Sequence, residues 1–374
     1  MPPKLESQLI NAVLSFRNLD GHHRTFGVVD GVYADPDSVD GPEVDLTRFW
    51  AMPGLADCHA HLCADSHGET EQSGDLEKAR HRAFAQLEHG VFLVIDKGWR
   101  DETVLQLMSD PPDQRPDLEA AGRVISGDHG YFRGFAVETD EAGLAAAVGS
   151  ASKSGGWVKL VGDWPQKGRG PVINFGEESL AAAVAVAHAG GARVAIHTMA
   201  PDTPGIAVRA GVDSIEHGLY MTESDLAFLG ARGGAWVPTV VNTEDVMASL
   251  VPGSSGVRIL GAGLDNVRRL LSLAADVGVQ VLCGTDLGLA HGQVAQEAIR
   301  LTEFGLSSTE AVAAAGPNAY RYLGRSILSV GSAADMLLLD RNPYEDPSVL
   351  SDPVAGMRCG RVVFDRRMAF TLPG

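Results

Sequence analysis

The stretch MPGLADCHAHL carries His59 and His61, two positions apart. On a strand, residues at that spacing share one face, so both imidazoles can grip one divalent ion. Alone the pair says little, because 12 histidines in 374 residues produce about 0.4 such pairs by chance. Later apolar runs add to it. WVKLVGD carries Lys159, VAIHT carries His197, SIEHG carries His217, and VQVLCGTD ends on Asp286. Imidazole nitrogen and carboxylate oxygen are the donors that borderline-soft divalent ions such as zinc favour, so His59, His61, His197, His217 and Asp286 make a coherent ligand set.

Such a set needs a scaffold that brings several strand ends to one place. The runs GVFLVID, WVKLVGD, RVAIHT, DSIEHG, AWVPTVV and VQVLCGTD alternate with helical stretches such as ESLAAAVAVAHAGG, and repeated βα units predict a parallel sheet. Residues 53–326 span 274 positions, near the ~250 of a (β/α)8 TIM barrel, whose C-terminal strand ends form one catalytic rim. A doubly wound sheet is disfavoured, since no GxGxxG or GxxxxGK[ST] follows a strand. At the flanks, LINAVLSF and TFGVVDGVYA near the start match ADMLLLD and CGRVVFD near the end as short strands broken by turns. Residues 1–52 and 327–374 are therefore expected to fold together as one small β domain.

Composition narrows the function classes. With 45% hydrophobic and 21% charged residues, 44 Gly and 19 Pro, the chain has the balance of a loop-rich globular enzyme and not of a disordered segment. Thirty basic against 48 acidic residues give a net charge of −18, and no Lys/Arg run offers a footprint for nucleic acid or anionic lipid. No apolar stretch approaches the ~18 residues of a membrane span, and polar residues interrupt the N-terminal MPPKLESQLINAVLSF where a signal peptide needs a continuous core. A cytoplasmic location is expected. Cys58, Cys63, Cys283 and Cys359 show no CxxC spacing and read as small residues in a reducing compartment.

The chain resembles the metal-dependent amidohydrolase superfamily, within it the imidazolonepropionase and prolidase-like branch. The matching segments, in order over nearly the whole chain, are MPGLADCHAHL, ISGDHG, WVKLVGD, AIHT, DSIEHGLYMTESDLAFLGARGGAWVPT, GTDLGLAHG, LSSTEAVAAAGPNAYRYLG and GSAADMLLLDRNP. The resemblance implies a (β/α)8 barrel with a small β-sandwich built from both termini. It implies two divalent ions, zinc by donor type, with His59 and His61 on the more buried one and His197 and His217 on the other. Asp286 would serve the first ion and proton transfer. Lys159 would be N6-carboxylated and bridge the two ions, because a cationic lysine cannot ligate whereas its carbamate is an anionic oxygen donor. His129, Tyr220 and His291 follow strand-like runs where the family places substrate contacts.

The implied reaction is hydrolysis of a C–N bond in a small molecule: a dipeptide, an N-acyl amino acid or a cyclic amide. Water held between two divalent ions about 3.5–4 Å apart becomes a nucleophile near neutral pH, and Asp286 would carry its proton to the leaving nitrogen. Fold and ligands alone leave isomerase or decarboxylase chemistry, or lactone and ester hydrolysis, as alternatives. A homo-oligomer is compatible with this reading. Two segments depart from the family pattern: VFLVIDKGWR, where Asp96 and Lys97 are expected to alter the pocket, and GDWPQKGRGP after Lys159. For a substrate carboxylate, Arg133, Lys167 or Arg169 are the candidate cations.

Overall fold

Eight strands run parallel in chain order in a computed structural model that describes residues 9–70, 72–166 and 169–370. They are Leu55–Ala60, Val91–Asp96, Asp117–Ala121, Gly156–Val161, Arg193–Thr198, Ser214–His217, Ala235–Val237 and Gln280–Val281, each paired with the next. Two short strands, Ile125–Ser126 and Val137–Glu138, branch from this path. The composition explains the arrangement: all six residues of LADCHA and of VFLVID are buried, as parallel strands covered on both faces must be. The sheet curls round on itself. Past the last strand, the Asp286 N–H donates to the His59 carbonyl at 2.7 Å, and the Cys58 N–H donates to the Cys283 carbonyl at 2.8 Å. The domain is TIM-barrel-like, and the candidate residues lie at or near the C-terminal ends of its strands.

Helices fill the crossovers. Leu76–Glu88, the short Thr103–Gln106, Leu144–Ala151, Glu177–Ala189, Thr203–Arg209 and Glu223–Ala231 follow the first, second, third, fourth, fifth and sixth strands in turn. Thr222 opens the last of these with a capping box shared with Asp225, satisfying backbone donors that the first turn leaves unpaired. Ser255–Asp276 turns Leu260, Leu264, Val267 and Leu271 inward at helical spacing and closes the outer layer over the seventh and eighth strands. Among the described residues, no helix is long and apolar enough to cross a membrane.

The two chain ends do pair. Glu43–Met52 lies parallel to Ala12–Asn18 and antiparallel to Met336–Leu339, joining both termini in one seven-stranded sheet. Asp30 and Gly31, both with positive φ, make the tight turn between His23–Val29 and Val32–Ala34 that right-twisted hairpins favour. Leu14, Phe16, Val28, Leu46, Met336 and Leu338 form a separate core beneath the sheet. Isolated bridges, Leu9 to Arg361 and Val32 to Ala333, tie the first strands of this sheet to its last.

Candidate metal and active site

Four strands and one loop deliver the candidate ligands to a single point. His59 and His61 leave the first strand on one side, and Asp286 reaches them from the loop after the eighth; their donor atoms lie within 4.8 Å of one another. Asp286 Oδ1 is 3.1 Å from His61 Nε2 and 3.3 Å from His59 Nε2. Lys159 Nζ is 3.3 Å from His59 Nε2. His217 Nε2 is 3.6 Å from Asp286 Oδ2, and the His197 and His217 rings are 4.6 Å apart. All six residues are buried. The structure thus brings together His59, His61, Lys159, His197, His217 and Asp286. Gly284 makes the closure feasible, since a Cβ there would sit 2.6 Å from that of His59. His217 and Asp286 hold left-handed backbone conformations (φ 63° and 42°), a strain that concentrates at functional sites.

The tautomers fit a cation. His61 Nδ1 lies 2.7 Å from the Gly98 carbonyl, which can only accept, so this nitrogen carries the proton and Nε2 presents its lone pair. His59 Nδ1 lies 2.7 Å from Glu216 Oε2, a carboxylate whose charge favours the proton on the same nitrogen. Both Nε2 atoms therefore point a lone pair at the Asp286 carboxylate, and facing acceptors need a proton or a cation between them. Burial pulls His61 toward the neutral form, although its hydrogen bond to Asp286 outweighs this and raises its pKa. For His59 and His197 burial prevails and holds the pKa well below the ordinary value; for His217 it lowers it to about 4. The Nε2 atoms of His197 and His217 are buried without a hydrogen-bond partner. Neutral imidazoles with unsatisfied inward nitrogens beside a carboxylate suit a divalent metal. Burial would raise the Asp286 carboxyl, but His59, His61 and His217 together hold it well below the usual range, so it stays ionised. Burial also brings the Lys159 amine down to about 8.

A second layer, of which the sequence singled out only Asp96 and Lys97, surrounds these residues. Glu216, immediately before His217, receives the Ser214 hydroxyl at 2.6 Å and faces Lys97 Nζ at 3.1 Å. Lys97 lies 4.3 Å over the Trp157 ring. Asp96 accepts from the Leu62 and Gly98 N–H groups, fixing the turn that carries the His61 acceptor. Asp96 and Lys97, expected to alter the pocket, support the site from beneath and do not line it. The Thr239 hydroxyl meets His217 Nδ1 at 2.6 Å. Asn242 donates to Asp286 Oδ2 at 2.9 Å and contacts His67 Nε2 through its own oxygen. Asp57 receives the hydroxyl and N–H of Thr285, tying the first strand to the GTD segment.

A cavity of about 420 Å3 opens over this cluster, with Tyr131, Phe132, Trp164 and Met199 on one side and His67, Asn242 and Val246 on another. The hairpin Asp163–Gln166 with Gly170–Ile173, formed by the divergent GDWPQKGRGP segment, supplies Trp164. Three expected substrate contacts lie elsewhere. His129 is exposed on the loop after Ser126. Tyr220 donates its hydroxyl to the Ile259 carbonyl, and His291 Nε2 meets the Ala64 carbonyl; none of the three lines the cavity. Arg133 and Arg169 are exposed and outside its lining as well. Lys167 lies outside the described residues.

Comparison with known proteins gives a consistent result. A model of the amidohydrolase family matches residues 50–363. An uncharacterized protein of Mycobacterium tuberculosis is 35% identical over 340 residues, covering 87% of this chain and 88% of that one. The ochratoxinase of Aspergillus niger is 23% identical over 350 residues, 81% of this chain and 73% of the relative. The solved structure of A. niger ochratoxinase superposes with a TM-score of 0.78 over 95% of this chain and 96% of that one, at 20% identity. A Xaa-Pro dipeptidase with methionine bound in its active site gives 0.78 over 94% and 99%, at 22% identity.

Proposed function

The chain belongs to the amidohydrolase family, and from that premise we propose that it hydrolyses a C–N bond in a small-molecule amide. The observation that carries the reading is the convergence of His59, His61, His197, Lys159 and ionised Asp286 on the floor of one cavity, with His217 buried directly against them. The curled sheet is read as a complete (β/α)8 barrel, with this floor at its catalytic rim. The names of two similar proteins, an ochratoxinase and a Xaa-Pro dipeptidase, add support.

His59, His61 and Asp286 would hold one divalent ion, and His197 and His217 a second. Lys159 would serve both as a carbamate: its neutral amine, which burial favours, adds to CO2 to form the N–C bond and releases one proton to solvent. Zinc suits this donor set. When bound, the metals supply Lewis acidity toward the carbonyl and bring the pKa of water toward neutrality.

The residues of the chain do the rest. Asp286, anionic and held at Oδ2 by Asn242, accepts a proton from the attacking water and returns it to the leaving nitrogen. Water adds to the carbonyl carbon, the C–N bond breaks, and acid and amine leave in equal amounts. Glu216 and Gly98 keep the Nδ1 protons of His59 and His61 in place, and the aromatic residues shield the reacting carbon from bulk water. Incubating metal-loaded protein with dipeptides, N-acyl amino acids, arylamides, lactams and lactones tests the reading. Stoichiometric release of amine is expected; turnover of lactones alone would overturn it.

A further inference from the structure

The walls of the cavity differ in chemistry, and the difference bears on the substrate. On one side Trp164 packs against Tyr131 at 4.5 Å and Phe132 at 4.8 Å between ring centroids, both edge-on. Phe135 backs Tyr131 at 5.3 Å. Trp164 also lies 5.7 Å from the His197 ring, so the aromatic wall begins at the ligand cluster. Across the cavity, the helix Val240–Ser249 contributes Asn242, Asp245 and Ser249, none of them cationic, with Asp245 exposed at the rim. Among the described lining residues Lys159 is the one cation, and it is buried on the floor beside His59.

A carboxylate entering this space would give up water to meet ring faces, which carry negative charge density, and the like charge of Asp245. No described arginine or exposed lysine is there to pair with it. An uncharged aryl group would instead stack against Trp164 and Tyr131, and about 420 Å3 is enough for a small ligand of one ring and an amide. We propose that the substrate is a neutral aromatic amide, its ring held by Tyr131, Phe132 and Trp164, and that substrates with a free carboxylate are selected against. This rests on the amide-hydrolase reading and narrows it away from the dipeptides and N-acyl amino acids expected from sequence.

The test uses full-length metal-loaded protein and a matched pair: acetanilide, and the same anilide with a carboxylate para to the nitrogen. The neutral member should have a kcat/KM at least about 100-fold higher, in line with the cost of leaving a desolvated charge unpaired. Quenching of tryptophan fluorescence reports binding without turnover. It should saturate with the neutral anilide, be absent with its charged twin, and disappear in Trp164→Phe. Trp164→Ala should raise KM for the anilide about 10-fold more than for an aliphatic amide of similar length. Preferred turnover of the carboxylated anilide, or of glycyl-proline, would overturn the inference and leave the hydrolase reading intact. Selective quenching with no amide hydrolysed would uphold the selectivity and sink the hydrolase reading. Absence of both quenching and turnover with the neutral anilide would overturn the inference.

Discussion

Replacing Glu216 with glutamine removes a charge that two buried groups depend on. The Glu216 Oε1 to Lys97 Nζ separation is 3.1 Å, with neither side chain exposed. At an effective dielectric constant near 20, that distance corresponds to about 5 kcal/mol of attraction. Stranding one member of a buried pair costs about 3–5 kcal/mol. The glutamine carbonyl can still accept from Lys97 and Ser214, and Trp157 still covers the ammonium, so about 2–4 kcal/mol of destabilisation is expected. The glutamine NH2 would then face His59 Nδ1, and both cannot donate. The imidazole must move its proton to Nε2, the nitrogen aimed at Asp286. Metal affinity should therefore fall about 10–100-fold, as when an outer partner of a ligating histidine is lost. Urea unfolding of the metal-free proteins measures the first effect and competition with a chromogenic chelator the second. Adding Lys97→Met to Glu216→Gln should restore stability by removing the stranded cation and leave metal affinity low. A Glu216→Gln protein within about 0.5 kcal/mol of the parent in stability and unchanged in metal affinity would refute the reasoning.

Purified protein should hold up to two equivalents of divalent metal, zinc by preference, and lose turnover on chelation; elemental analysis showing an active, metal-free sample would contradict the ligand assignment. His61→Ala should lose the ion shared with His59 and Asp286, because no neighbouring donor replaces His61 Nε2; mass spectrometry of the native protein counts the ions retained. Protein prepared in 13C-bicarbonate should show a carbamate carbon resonance that vanishes in Lys159→Met. An unlabelled Lys159 in the metal-loaded enzyme would reduce the site to one ion.

The convergence of the candidate residues was legible in the sequence because strand geometry is local. His59 and His61 share a face by period two, and Lys159, His197, His217 and Asp286 each sit in an apolar run whose strand the structure reproduces or whose following loop it bends inward. The pairing of the two termini was legible for the same reason. The supporting layer was not. Glu216 serves His59, 157 positions away, and Asn242 serves Asp286, contacts made only when strands and loops assemble. A glutamate inside the apolar SIEHG was the available signal, since a buried carboxylate requires a partner. Asp96 and Lys97 drew attention as departures, but their direction, inward beneath the ligands, depended on which face of Val91–Asp96 meets the barrel interior. His129, Tyr220 and His291 were placed by loop position alone, and a loop position does not say where a side chain points. The aromatic wall was missed because Trp164 reaches the cavity only through the hairpin that follows Lys159.

On this reading Asp286 both binds metal and moves the proton that frees the leaving nitrogen. Asparagine keeps its shape and one donor oxygen but cannot shuttle a proton. Metal content and kcat measured on the same sample of Asp286→Asn test the claim most directly. Much of the metal should be retained while kcat falls by about 10²–10⁴-fold, the range for a lost general base. Near-normal turnover in metal-replete Asp286→Asn would contradict it.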